Sequence, residues 1–371
     1  MLHAMMQLAL EAARHALRLS PPNPAVGCVL VAPDGTMIGV GHTQRAGGPH
    51  AEIMALRDAA QHGRSVQGAT AYVTLEPCAH HGRTGPCCDA LIAAGIGKVV
   101  ASLPDPNPLV AGQGFERLRA AGVEVEVGAG ADEAHELNIG FFSRMVRGLP
   151  WVRMKVAASL DGRTALENGT SQWITSPAAR ADGHAWRARA GAILTGVGTV
   201  IEDDPRLDVR EIETERQPPL VLVDSHLQTP VDARLFEVPG REVWIYAARR
   251  DPARAAALEA RGAHVRCMPD DTGKVALAEM MRDLAQREVN ELHVEAGHKL
   301  NGSLLREGQV DELLLYLAPK LIGDGLGMAS RIHAHGPLNM LSDALSLEFR
   351  NVEAVGTDLR ILARLAGRAA F

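Results

Sequence analysis

Thr70-Ala71-Tyr72-Val73-Thr74-Leu75, then Cys87 to Ala94, then Lys98-Val99-Val100-Ala101-Ser102, reads as strand, helix and strand. β-branched and aromatic residues fill the two strand runs, and a short non-alternating apolar run suits a strand covered on both faces. Working outward, the start of the chain places Leu2, Met5, Met6, Ala9, Ala13 and Ala16 at three-to-four-residue steps, which predicts an amphipathic helix. Glu11, Arg14 and Arg18 interrupt any run resembling the core of a signal peptide. Ser20-Pro21-Pro22-Asn23-Pro24 breaks that helix, and Ala25 to Ala32 predicts a strand that turns at Pro33-Asp34-Gly35 into a hairpin. His50 to Ala60 reads as a helix, Phe115 to Ala121 as another, and Val123 to Val127 as a strand. The order α-β-β-α-β-α-β predicts a sheet with helices on both faces, closing as a first domain over residues 1–147.

Gly148-Leu149-Pro150 then opens a second alternating domain, 148–371. It begins with a strand at Trp151 to Ala157 and continues with strand-like runs at 192–195, 219–224, 242–247, 291–296, 312–318, 346–355 and 358–365. Helical stretches at 177–190, 251–262, 274–287 and 300–307 fall between them, and Gly356-Thr357-Asp358 closes a hairpin-like end. Glu211 to Pro219 reads as an exposed loop. Two domains also suit 371 residues at ~150 per domain.

Hydrophobic residues at 46% and charged residues at 22% exclude disordered, collagen-like and coiled-coil chains. Lys plus Arg at 38 against Asp plus Glu at 44 gives 38 − 44 = −6, which argues against a chain that wraps nucleic acid non-specifically. No window approaches the ~18 apolar residues of a membrane span, so no membrane role is expected. The five cysteines, Cys28, Cys78, Cys87, Cys88 and Cys267, form an odd set in a chain too long to need disulfide staples, which points to a reducing cytoplasm.

His50-Ala51-Glu52 opens a helix, and Pro77-Cys78 and Pro86-Cys87 lie downstream. Any one of these residues alone reads blandly: free cysteine is among the most buried residue types, and His50 can be a helix-end histidine. Together they supply one imidazole and two thiolates, leaving the fourth tetrahedral position open as in a catalytic zinc site. Zinc deaminases carry H-x-E…P-C-x-x-C, with the Glu as acid–base rather than ligand. Here eight residues separate Cys78 from Cys87, so a specialised loop must join them. Glu52 fills the proton-carrying role; its bland alternative is a first-turn carboxylate favoured by the helix dipole. Cys28 and Cys267 are expected as core thiols, with Cys88 pointing away from the cluster.

At these residues the sequence resembles the bifunctional deaminase–reductase family of riboflavin biosynthesis. The resemblance rests on Pro22-Asn23-Pro24-Ala25-Val26-Gly27, on His50-Ala51-Glu52, and above all on the run Tyr72 to Cys88 that fills the unusual gap. Asp105-Pro106-Asn107-Pro108 and Gly112-Gln113-Gly114 continue it. It implies a cytidine-deaminase-like three-layer α/β domain with zinc on His50, Cys78 and Cys87, Glu52 as proton shuttle, and substrate contacts at Asn23, His80 and His81. The second half resembles the family's NADPH-dependent reductase, of dihydrofolate-reductase-like α/β fold, through Lys155 to Ala165, Ser171 to Thr175, Gly196 to Leu207, Val223-Asp224-Ser225, Val294 to Gly297 and Leu317 to Leu321. It departs at His298-Lys299, where the family carries Pro or another small residue.

Taken alone, Gly196-Val197-Gly198 is not a Rossmann fingerprint, because Ile201 stands at its third glycine position. Gly297-His298-Lys299-Leu300-Asn301-Gly302-Ser303 lies between a strand and a helix, where free backbone N–H groups can accept a phosphate. The resemblance adds NADPH contacts at Ala157, Trp173, Thr199, Asp203, Ser225 and Gly297 to Ser303, and substrate contacts at Ser171, Arg187, Leu207, Arg210 and Glu295. Each has a plain alternative: Trp173 as core, Arg187 as a solvated helix charge, Asp203 as a turn residue.

The expectation is therefore a cytoplasmic enzyme that deaminates a phosphoribosylaminopyrimidine ring hydrolytically with zinc and then reduces its ribosyl group to ribityl with NADPH. A small-molecule substrate, no nucleic acid, no membrane and a homo-oligomer go with it. The alternative is a nucleic-acid or nucleoside deaminase with an accessory nucleotide-binding domain, which needs a basic or aromatic groove that a net charge of −6 and 4% aromatic residues hardly provide. A non-catalytic zinc-stabilised nucleotide sensor would tolerate loss of Glu52, which is present.

Overall fold

The structure, a computed structural model, describes residues 2–79, 85–108, 110–334, 336–368 and 371. The chain divides into two compact units, Met1–Gly148 and Leu149–Phe371.

In the first unit the order is α1 (Leu2–Ala16), β1 (Gly27–Val31), β2 (Met37–His42), α2 (Ala51–Gln61), β3 (Thr70–Val73), α3 (Cys87–Ala93), β4 (Lys98–Ala101), α4 (Gln113–Ala120), β5 (Glu124–Val127), α5 (Ala131–Leu137) and α6 (Ile139–Arg147). The sheet runs β2-β1-β3-β4-β5, antiparallel at the β1–β2 and β1–β3 pairs and parallel from β3 onward. The buried stripe of α1, Met6, Ala9 and Leu10, meets Val29, Val31, Tyr72 and Val100, which alternate onto one face of the sheet, with Ala134 of α5. On the other face α2 lies so close that a Cβ on Gly41 would stand 2.4 Å from the carbonyl of Ala51. Only glycine permits that approach. It sets the start of α2 against the strands. The result is a three-layer α/β sandwich.

The second unit contains β6 (Trp151–Ser159), β7 (Arg163–Leu166), α7 (Pro177–Arg189), β8 (Ala192–Gly196), α8 (Val197–Asp203), β9 (Leu220–Val223), β10 (Val243–Ala247), α9 (Pro252–Glu259), β11 (Ala263–Cys267), α10 (Leu277–Gln286), β12 (Glu291–Val294), α11 (His298–Arg306), β13 (Glu312–Ala318), β14 (Gly325–Gly327), β15 (Leu347–Val355) and β16 (Asp358–Leu365). Its main sheet runs β11-β10-β9-β8-β12-β6-β13-β16-β15. The strands are parallel from β11 to β13, and β16 and β15 are antiparallel at the end.

Alternation along these strands sorts the chemistry. Val152, Met154 and Val156 of β6 with Leu292 and Val294 of β12 enter one core with Met280, Met281 and Leu284 of α10. Arg153 and Lys155 of β6, with Glu291 and His293 of β12, therefore share the opposite face. There Arg153 is paired to Glu291 and Glu312 at 2.6 and 2.7 Å and lies 4.5 Å from the Trp186 ring centroid of α7. A dry core thus backs a buried layer of charge.

Candidate active sites

His50 is the N-cap of α2, and Cys87 is the first residue of α3. Cys78 follows the end of β3, where the Thr74 hydroxyl accepts from the Gly27 amide at 3.1 Å. His50 Nδ1 stands 3.6 Å from Cys78 Sγ and 3.3 Å from Cys87 Sγ, and the Cys87 amide donates to Cys78 Sγ at 3.3 Å. The three donor atoms lie within 4.8 Å of one another, and no other such His, Cys, Asp and Glu group occurs among the described residues. One imidazole and two thiols converging in this way suit a tetrahedral divalent cation with a position to spare.

Glu52, in the first turn of α2, is 3% exposed. Burial, and then the negative charge of Cys78, push its carboxyl up to about 7. Hydrogen bonding to Cys87 draws the Cys78 thiol down to about 4 against its burial, and the same bond pushes Cys87 up. The acidic thiol of the pair is thus the one that receives the Cys87 amide. The Cys88 thiol is buried, with its sulfur 3.8 Å from Asp89 Oδ1 and outside the cluster, and Cys28 is a core thiol. Cys267 differs from expectation: it lies half-buried on the edge strand β11, where one face meets solvent. Asn23 is half-buried in the loop before β1, its amide bonded to the Ser20 carbonyl. His80 and His81 lie outside the described residues.

In the second unit several of the expected cofactor positions line the carboxyl edge of parallel strands, where ligands of α/β sheets bind. Ala157 lies on β6, Thr199 and Asp203 on α8 after β8, Ser225 just after β9, and Gly297 at the N-cap of α11 after β12. A Cβ on Gly297 would be 3.9 Å from Thr199 Oγ1, so these two meet. Ser225 is held by its carbonyl, which accepts from the Ala248 and Arg249 amides. Trp173 is not core: it is 61% exposed, with Arg180 4.5 Å from its ring centroid. Ser171 and Asp203 share a cavity of about 480 Å³ with Asn168, Thr170 and Glu202.

α11 starts at His298, two residues before the helix expected over 300–307, so the 298–303 stretch is the opening of that helix. The Asn301 amide is already bonded to the Gly297 carbonyl, its side chain donates to Met328 O at 3.0 Å, and Gly302 packs inward. The amides at the opening of α11, His298 to Leu300, precede that first intrahelical bond.

Arg187 corrects a simpler picture. Its Nε and Nη2 grip both oxygens of Glu295, and its Nη1 donates to the Asp208 carbonyl at 2.9 Å. Lys155 Nζ and His293 Nε2 stand 3.4 and 3.3 Å from the same carboxylate. Burial would raise the Glu295 pKa, yet Arg187 and Lys155 hold it well below the usual carboxylate range. Arg187 is thus no solvated helix charge but is fixed against Glu295 with an N–H left on each terminal nitrogen, whereas Arg210 is half exposed and paired to Asp208 at 2.7 Å. Leu207 is buried with φ 49, and Arg241 donates to the carbonyls of Arg206 and Leu207 at 2.6 and 2.9 Å. Lys155, His293, Asp208 and Arg241 were absent from the sequence-derived site. Only the period-two spacing of Arg153 with Lys155 could have flagged any of them.

Residues 1–103 match the cytidine and deoxycytidylate deaminase zinc-binding region, and residues 150–361 match the RibD C-terminal domain. The class is therefore a deaminase joined to a reductase of dihydrofolate-reductase-like fold in one polypeptide. The riboflavin biosynthesis protein RibD of Escherichia coli is 45% identical over 95% of this chain and 96% of its own length, and that of Aquifex aeolicus 39% identical over 96% of each. A solved structure of Acinetobacter baumannii RibD superposes with a TM-score of 0.86 at 40% identity, covering 98% of this chain and 99% of that one. The Thermotoga maritima diaminohydroxyphosphoribosylaminopyrimidine deaminase/5-amino-6-(5-phosphoribosylamino)uracil reductase gives 0.85 at 32% identity, covering 98% and 99%. This chain belongs to the RibD family and is a bifunctional enzyme of riboflavin biosynthesis.

Proposed function

We propose that the first unit deaminates the ring of a phosphoribosylaminopyrimidine and the second reduces the ribosyl group of the product to ribityl with NADPH. The convergence of His50, Cys78 and Cys87 beside buried Glu52 carries the first half of this reading. A zinc ion held by those three residues supplies the Lewis acidity that makes water a competent nucleophile at neutral pH. Glu52, with a carboxyl near 7, can take a proton from the attacking water and pass it to the departing amine. Asn23 lies in the segment assigned to the pyrimidine substrate.

For the reductase half, the opening amides of α11 with the Thr199 hydroxyl beside Gly297 fit a cofactor phosphate. Ala157, Trp173, Asp203 and Ser225 continue the cofactor edge. Ser171, Arg187, Leu207, Arg210 and Glu295 are assigned to the substrate. Arg210 keeps a half-exposed guanidinium for the ribose 5-phosphate, and Arg187, held by Glu295, keeps an N–H on each terminal nitrogen for the same group. The test is turnover with purified protein. Ammonia release from the diaminopyrimidine, followed by oxidation of one NADPH per ribityl product, is expected; NADPH oxidation without prior deamination of that substrate contradicts the order.

The setting follows from the surface. No helix among the described residues is long and apolar enough to cross a membrane, and all five cysteines are free, which favours a reducing cytoplasm. β15 is an edge strand with Leu347, Phe349 and Val352 at 40, 71 and 52% exposed, and Met340 and Leu341 before it reach 64 and 94%. Long apolar edges of this kind pair with another strand. We assign that place to β15 of a second copy. Light scattering should give a dimer or larger, and Phe349→Asp should shift it towards monomer; an unchanged mass refutes this face.

A further inference from the structure

The carboxylate of Glu76, 4% exposed and two residues before Cys78, faces backbone rather than a cationic side chain. Its Oε2 accepts from the amides of Asp105 and Gly112 at 3.0 and 2.9 Å, and its Oε1 from those of Gly114 and Phe115 at 2.8 and 3.4 Å. Three of these donors belong to the start of α4. The N-cap there, Gly112, has no side chain to offer, so the anion that satisfies the helix start comes from 36 residues earlier in the chain. The contact is close: a Cβ on Gly114 would stand 2.0 Å from the Pro77 carbonyl.

α4 then reaches the other side of the metal-type cluster. Arg117 donates to the Ala79 carbonyl at 3.2 Å and grips Asp89, on α3 two residues after Cys87, at 2.7 and 2.8 Å. The amide of Cys88 closes the ring on the Cys78 carbonyl at 3.2 Å. Both cysteine-bearing segments are thus tied to one helix, and that helix is anchored by one buried carboxylate.

We propose that Glu76 is a positioning residue of the deaminase half: by capping α4 it places Arg117, which holds the Cys78 and Cys87 segments at the spacing a metal needs. This rests on the reading that His50, Cys78 and Cys87 hold zinc. Groups that orient metal ligands are worth ~10- to 100-fold in metal affinity or activity when removed. Glu76→Gln puts an NH2 group against amide donors and so loosens the cap.

The experiment uses the full chain as wild type, Glu76→Gln, Arg117→Met, the double variant and Cys78→Ser. Each is stripped and titrated with Zn2+ against a chromophoric chelator, and Co2+-loaded samples are read by visible absorption. Glu76→Gln and Arg117→Met are each expected to bind Zn2+ ~10- to 100-fold more weakly and to shift the Co2+ bands. Reduction of already deaminated substrate should stay unchanged. Because both act through α4, the double variant should be no weaker than the worse single one. Wild-type Zn2+ affinity in folded Glu76→Gln overturns the proposal, as do strictly additive losses. Arg117 is nearly half exposed, so Arg117→Met keeps its fold even if Glu76→Gln does not, and wild-type affinity there overturns the proposal equally. Undiminished Zn2+ binding by Cys78→Ser would instead remove the metal assignment, and the proposal with it.

Discussion

Arg187 and Arg210 show how two guanidiniums a short way apart in the fold take different work. Arg187 gives three of its five N–H donors to Glu295 and the Asp208 carbonyl and keeps one on each terminal nitrogen, while Arg210 keeps a half-exposed face. A charged hydrogen bond is worth ~1.5–3 kcal/mol, so Arg210→Ala should weaken use of the phosphorylated substrate by roughly 10- to 150-fold. Steady-state kinetics with substrate and NADPH varied separately would check this. A penalty falling on the NADPH constant would move Arg210 to the cofactor. Arg187→Ala should lower kcat as well, because Glu295 loses its bidentate partner.

His50, Glu52, Cys78 and Cys87 were legible in the sequence because their chemistry is local: His-x-Glu and one Pro-Cys pair at helix starts, and a second Pro-Cys pair in the loop after β3. Lys155 and His293 were not, since they gain meaning only through the register that sets β6 beside β12, some 140 residues apart in sequence. Glu76 stands inside the Tyr72 to Cys88 run, yet its partners lie 29 to 39 residues on and are backbone amides, which no residue type announces.

Among elements, the long strands and helices of both units were readable from periodicity. The short ones were not: α5 and α6 between Ala131 and Arg147, β7, and β11, whose Ala263–Cys267 run has a half-exposed, charged pattern. The helix expected over 300–307 starts two residues earlier, at His298, and Gly302 is where α11 packs inward. Tight packing also makes a prediction for α2. Gly41→Val would drive a side chain into the Ala51 carbonyl and the Ala55 amide, so the first unit should lose ~1–3 kcal/mol or more in denaturant unfolding while the second unit's transition stays put. Unchanged stability would mean that α2 does not sit on β2 as described.

The layer between α7 and the sheet makes another. Burial would raise the Glu291 pKa, but Arg189 and Arg153 bring it down to about 2. A carboxylate depressed in the folded state adds stability that is present above its unfolded value of ~4.5 and is lost as pH falls towards 2. Acid unfolding of the second unit should therefore steepen across that window and flatten in Glu291→Gln, which at neutral pH should cost about 3–5 kcal/mol by removing the buried carboxylate that Arg153 and Arg189 share. An identical acid profile in the variant would remove Glu291 from the account.

At the scale of the whole molecule, each compact unit carries its own core and its own site. A fragment from Leu149 to Phe371 should fold and bind NADPH, as a domain with its own core can. A fragment that is soluble but does not bind the cofactor would show that the second site needs the first unit. The central claim is that one chain holds two chemically separate sites, and the most direct measurement is Glu52→Gln assayed for both half-reactions on one preparation. Zinc content should be retained, deamination should fall ~10²–10⁴-fold, and reduction of already deaminated substrate should proceed at the wild-type rate. Loss of both activities together, or deamination that survives the substitution, would contradict the account.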